Sequence, residues 1–156
     1  MEKKEILIKK NKEIKELEKL ESDFNSKIRE LNELLSNLEY QFDYKELDRM
    51  NRVNDELIEI REEFFKKGEK VSDEISDLER KRILTQEEID DLYEKNPYSD
   101  EWDHSAVADL VGRWGFCKCI LCFGTSSKGY EGSWSNFYRK QGEKLKDEYE
   151  KEEEAD

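Results

Sequence analysis

The chain has 156 residues, 44% of them charged and 35% apolar, and 41 acidic against 28 basic side chains leave a net charge of −13. So little apolar material excludes one large globular core, and the regular return of leucine and isoleucine excludes a disordered polymer; long helices sharing a narrow seam satisfy both limits. The charge also excludes broad binding to a nucleic-acid backbone, which needs clustered Lys and Arg to displace counterions.

The first residues, MEKKEILIKKNKEIKEL, hold an apolar run of only three, too short for the core of a signal peptide, and no stretch approaches membrane-spanning length. A cytoplasmic protein with reduced thiols is the expectation, since the cysteine count is three, an odd number. Apolar residues then fall on two rows spaced by seven, Leu7, Ile14, Ile28, Leu35 and Phe42 on one and Leu17, Phe24, Leu31 and Leu38 on the other. This is the a/d pattern of a coiled-coil helix, interrupted by Lys10 and Glu21. A second series runs through Met50, Leu57, Phe64, Val71 and Leu78, with Val53 and Ile60 as its d positions, and loses its d row at Lys67 and Glu74.

The two series do not share a register, and the break falls at QFDYKELD, where Asp43 and Glu46 have the spacing of a capping box. A chain reversal there makes arms of residues 3–41 and 44–82, each about 58 Å long at 1.5 Å per residue, and favours an antiparallel hairpin over residues 1–84. The alternative is one unbroken helix with a one-residue skip, pairing in parallel with a second chain. Phe65, Ile75 and Tyr44 lie off the main stripe, so a homodimer or packing against the C-terminal region is expected.

Residues 85–140 read as a small α+β domain. Thr85 and Glu88 repeat the capping-box spacing, predicting a helix over about 86–95, and Pro97 breaks the chain before a further helix around 104–112. The segment 87–103 concentrates acid, including Asp90, Asp91, Asp100, Glu101 and Asp103, but lacks the Asp/Asn alternation and central glycine of a calcium loop. These acids, with Tyr98 and Trp102 as aromatic anchors, form the candidate partner-binding surface. FCKCILCF and YEGSWSNFY flank the turn GTSSKG and predict a β-hairpin of about 116–123 and 130–138, with Tyr130, Trp134 and Tyr138 on one face. Residues 141–156 read as a charged, acidic tail.

On a strand Cys117 and Cys119 point one way and Cys122 the other, so they serve better as packed thiols than as zinc ligands. A zinc site would need a bulge and His104 as fourth ligand, and the paired Cys-x-x-Cys repeats of such sites are missing. His104 is the only histidine and has no nucleophile at motif spacing, so no enzyme and no cofactor are expected.

In layout, a coiled-coil hairpin with acidic tip residues resembles the transcript cleavage factors and related zinc-bearing regulators that enter the secondary channel of bacterial RNA polymerase. The resemblance implies that Asp43 and Glu46 would match the paired tip acids that approach the catalytic magnesium. QFDYKELD lacks the glycine and asparagine of the cleavage-factor tip, and CKCILC replaces the four-cysteine finger. In composition the chain also resembles the small acidic inhibitors that phages and mobile elements direct at host nucleases. The leading expectation is therefore a mainly helical, non-enzymatic protein whose acidic surface occupies a basic, nucleic-acid-binding surface of a protein partner as a nucleic-acid mimic. The competing expectation is a structural coiled-coil module for oligomerisation.

Overall fold

The computed structural model describes residues 2–98, 120 and 134–155. Among them are four helices, α1 (Lys3–Tyr40), α2 (Tyr44–Arg80), α3 (Gln86–Lys95) and α4 (Trp134–Ala155), and no strand. The first two pack together as a helical hairpin. Lys27 pairs with Glu56 and Glu30 with Arg49, so numbering falls along one helix as it rises along the other. The unbroken helix is thereby excluded. At the turn the Asp43 carboxylate accepts the Lys45 backbone N–H at 2.8 Å, capping α2 without help from glycine or proline.

The expected heptad rows of α1 are its inward face: Ile14, Leu17, Phe24, Ile28, Leu31, Leu35 and Leu38 are all buried. On α2 Met50, Val53, Leu57 and Phe64 are buried and Ile60 is partly exposed. Beyond Ile60 the inward row continues through Phe64, Gly68, Val71 and Ile75, two four-residue steps in succession before the three-four alternation returns. The d row is therefore shifted by a stutter, not lost, because one extra four-step rotates the inward face onto Gly68 and Ile75. One polar interruption from each row meets the other: buried Lys10 on α1 reaches both Glu13, on its own helix, and Glu74 of α2.

By its contacts the chain divides into two compact units, Met1–Asp23 with Glu62–Trp102, and Phe24–Arg61 with Asp103–Asp156. In the first, α2 ends where Ile83 N–H bonds Leu78 C=O and Arg82 N–H bonds Glu79 C=O, with Arg82 at φ 56°. This is a Schellman ending with arginine where glycine is usual. It turns the chain into α3, which buries Ile89 and Leu92. Past α3, Tyr98 is buried against Gly68, with Phe64 and Phe65 meeting its ring edge to face at 6.1 and 5.6 Å.

In the second unit α4 runs antiparallel to α2. Asn54 of α2 donates to Ser135 C=O at 3.2 Å, Gly142 lies against Leu47 and Met50, and Tyr149 reaches Phe42 and Tyr44. Tyr138 is fully buried and donates its hydroxyl to Asn32 of α1. Gly142 permits this approach, because a Cβ there would stand 2.7 Å from Leu47 Cδ1.

These contacts correct the expected β-hairpin: residues 134–138, assigned to its second strand, open α4, and residues 141–155, read as a tail, continue that helix. Of the expected first strand only Ile120 is described; it is buried in a turn, where its C=O accepts from Arg61 Nε at 3.0 Å. The off-stripe residues are also accounted for within the chain, since Phe65 packs on Tyr98, Ile75 is buried and Tyr44 packs on Phe42 and Tyr149.

Two predictions follow from the seam. Burial, and then the neighbouring Glu18 charge, push the Glu21 carboxyl above its ordinary range. Since the folded value lies above the unfolded one, the protonated form stabilises the fold at acid pH, and that contribution is lost as pH rises through the folded value. Glu21→Gln should therefore raise Tm at pH 7, with the gain vanishing near pH 3 in calorimetric melts. Gly68→Ala has two opposed effects. Helix propensity favours alanine by about 1 kcal/mol, but its Cβ would meet three Tyr98 atoms at 2.5–2.7 Å, and overpacking of that kind costs about 1–3 kcal/mol. The expected result is a lower Tm, and a higher one would show that Tyr98 is not held on Gly68.

Candidate partner-binding surface

Helix α3 begins with a complete capping box: Thr85 Oγ1 accepts the Glu88 N–H at 3.2 Å, and the Glu88 carboxylate accepts the Thr85 N–H at 2.9 Å. The same carboxylate pairs with Lys3 of α1 at 2.6 Å. The Lys3 bond, followed by the Thr85 N–H, lowers its pKa to about 2. Other polar links tie α3 to α2, as Gln86 donates to Glu79 at 3.1 Å and the Tyr93 and Ser76 hydroxyls meet at 2.9 Å. With Ile89 and Leu92 inward, Glu87, Asp90, Asp91 and Glu94 face solvent.

A groove of about 770 Å³ runs between this face and the start of α1, floored by Leu7 and Asn11. Five of its lining residues are carboxylates, Glu87, Glu88, Asp90, Asp91 and Glu94, and none is a cation. Lys95 pairs with Asp91 at 2.8 Å and Gln86 donates to Asp90 at 2.9 Å, so the acids are ordered along the helix. Chemically the groove suits multivalent cationic groups.

The sequence-derived site residues separate here. Asp90 and Asp91 are exposed on this face. Tyr98 does not: it is 9% exposed, because Gly68 leaves a space that its ring fills, and it offers no exposed anchor. Asp100, Glu101, Trp102 and Asp103 lie outside the described residues, as do His104, Cys117, Cys119 and Cys122. Among the described residues no group of three or more His, Cys, Asp or Glu is arranged to hold a metal ion. None of the helices there is long and apolar enough to cross a membrane.

At the hairpin tip Asp43 caps α2, and Glu46 makes no reciprocal bond to it among the described residues. Sequence reasoning missed the aromatic content of this turn. Tyr40, Phe42 and Tyr44 alternate through EYQFDYKE, and α4 adds Tyr149 to them.

Thr85→Ala should cost about 0.5–2 kcal/mol of local stability and lower hydrogen-exchange protection across residues 86–95 before the rest of the chain. Glu88 has a folded pKa depressed to about 2, so its contribution is present above the ordinary carboxylate pKa and lost as pH falls toward 2. Protection factors on α3 should accordingly hold between pH 7 and 5 and fall below about pH 4, and Glu88→Gln should abolish that acid dependence.

Comparison of the chain with protein-family models, with curated proteins and with solved structures finds no match in any of the three.

Proposed function

We propose that the protein is a non-enzymatic binding protein that sets the acidic face of α3 into a basic, nucleic-acid-binding surface of a protein partner, acting as a nucleic-acid mimic. The observation that carries this reading is the groove lined by five carboxylates and no cation. The exposed acids also have a suitable spacing. Glu87, Asp90, Asp91 and Glu94 span eight residues of helix, a rise of about 10 Å, or on average roughly one charge per 3.5 Å, against about 3.4 Å per phosphate along one DNA strand. Lys95 offsets Asp91, so the stripe is somewhat weaker than the spacing alone implies.

The net charge of −13 supports the same reading, because a strongly negative field accelerates encounter with a basic patch and repels nucleic acid itself. An oligomerising coil would instead offer its apolar seam to a second chain, and in this fold Leu17, Leu31, Leu35 and Leu57 are fully buried within one. Helix α3 is tied to its neighbours by Lys3–Glu88, Gln86–Glu79 and Tyr93–Ser76, which holds the acids in place and reduces the ordering cost on binding.

Affinity capture from the source cells with the whole protein tests this. A nucleic-acid-binding protein should be retained at 50 mM salt, displaced by added DNA or RNA, and lost at about 300 mM salt. The combined substitution Glu87→Gln, Asp90→Asn, Asp91→Asn, Glu94→Gln should abolish its capture. Retention of the same partners by that variant, undisturbed by nucleic acid, would overturn mimicry by α3.

A further inference from the structure

The turn of the hairpin carries chemistry that the α3 reading does not use. Tyr40, the last residue of α1, is 91% exposed, and Tyr44, the first of α2, is 46% exposed. Between them Phe42 stacks on Tyr149 of α4, centroids 4.9 Å apart and planes at 27°. Tyr44 meets both rings edge to face, at 5.0 Å from Phe42 and 5.8 Å from Tyr149. The result is a fixed aromatic wall beside a concavity of about 580 Å³, which Tyr40 also lines. A ring left almost wholly in water at the edge of an ordered aromatic cluster contributes little to folding, which makes it available to a partner.

The charges around the wall select that partner. Tyr44 donates its hydroxyl to Glu150 at 3.0 Å, and Tyr149 donates to Glu153 at 2.7 Å. Both phenols are held above their ordinary pKa, chiefly by these carboxylates, which accept the proton without removing it and leave the rings electron-rich. Asp43 and Glu46 add negative charge to the lining, where Lys45 is the one cation. We propose that this aromatic concavity at the turn is a docking site for arginine side chains in a basic segment of a partner protein.

A guanidinium fits both halves of the site. Its flat face stacks on the tyrosine rings while its forked donors reach the carboxylates, which the compact ammonium of lysine cannot do together. A neutral apolar segment would bury carboxylates without partners, and a second copy of the chain would bring the same acidic rim against this one. The site uses none of the α3 residues, so it stands or falls separately from the groove.

The test is fluorescence anisotropy with the whole protein and a labelled eight-residue peptide alternating arginine and glycine, beside lysine and citrulline versions of it. The arginine peptide should bind, the lysine peptide several-fold more weakly, and the citrulline peptide not measurably. Tyr40→Ala should weaken arginine-peptide binding by about two- to fivefold, the worth of one exposed cation–π contact, whereas Tyr40→Phe retains it. Because Tyr40 is so exposed, its substitution should leave the thermal melt unchanged. Because the α3 groove also attracts cations, the same Tyr40→Ala comparison is made in the four-carboxylate α3 variant above, where the loss of about two- to fivefold should persist. Unchanged binding by Tyr40→Ala in the α3-variant background, or equal binding of the citrulline peptide, would each overturn the proposal. So would a dimer in sedimentation that Tyr40→Ala dissolves, which would make a second copy the occupant.

Discussion

The structure depends on two apolar stripes, each about one residue wide per turn, that must cover one another. In a chain with 44% charged residues, α1 and α2 have enough leucine, isoleucine and phenylalanine for a single shared seam and little beyond it. Each fully buried Leu or Phe contributes about 1.5–3 kcal/mol, whereas an exposed ion pair contributes about 0–1 kcal/mol. The pairs Lys27–Glu56 and Glu30–Arg49 therefore report the alignment of the helices more than they secure it. The other two helices dock through a few residues each: α3 through Ile89 and Leu92, α4 through Phe137, Tyr138 and the close approach at Gly142.

Polar groups inside the seam then make one alignment better than its neighbours. Lys10 is 5% exposed and has Glu74 within reach on the facing helix. Sliding either helix by one turn would separate the pair and strand a buried charge, which is costly even where the intact pair adds little net stability. Asn54 has a similar place beside α4. Its amide holds Ser135 C=O, while its Oδ1 is buried without a hydrogen-bond partner among the described residues. An unmet buried acceptor costs about 1–3 kcal/mol, so this position favours a particular start for α4 at some expense in stability.

How much of this was legible in the sequence depended on whether periodicity alone could decide. The rows of α1 repeat without a skip from Lys10 to Leu38, and the Thr85–Glu88 box bounds α3 at the residue where it begins. The shift of α2 onto Gly68 and Ile75 was hidden because glycine carries no hydrophobic signal, and its packing is visible only once Tyr98 lies on it. The start of α4 was misread for a different reason. Trp134 and Tyr138 are four apart, which places them on one face of a strand and equally one turn apart on a helix. Aromatic content then favoured a strand, while the inward set Ser135, Tyr138 and Gly142 has helical spacing. Asp90 and Asp91 were found on the candidate site by charge alone, but charge could not distinguish an exposed tyrosine from Tyr98, whose burial depends on a glycine thirty positions earlier.

Withdrawal of Tyr98 into the fold changes how binding should be apportioned. Charge acts at long range and sets the rate of encounter, whereas persistent contact needs desolvated aromatic or guanidinium groups at short range. Sequence alone placed both roles in one acidic segment. Under the proposed function the carboxylate stripe of α3 takes the first role; its one partly exposed ring among the described residues, Tyr93, has its hydroxyl already bonded to Ser76. Tyr40, Tyr44 and Tyr149 supply the rings that such a role needs, with carboxylates on two of their hydroxyls. Phe42, Tyr44 and Tyr149 already hold α4 on the turn, whereas Tyr40, 91% exposed, makes no such contribution to the fold. An exposed ring beside that ordered cluster is what the proposed recognition of a cationic group by shape as well as by charge would use.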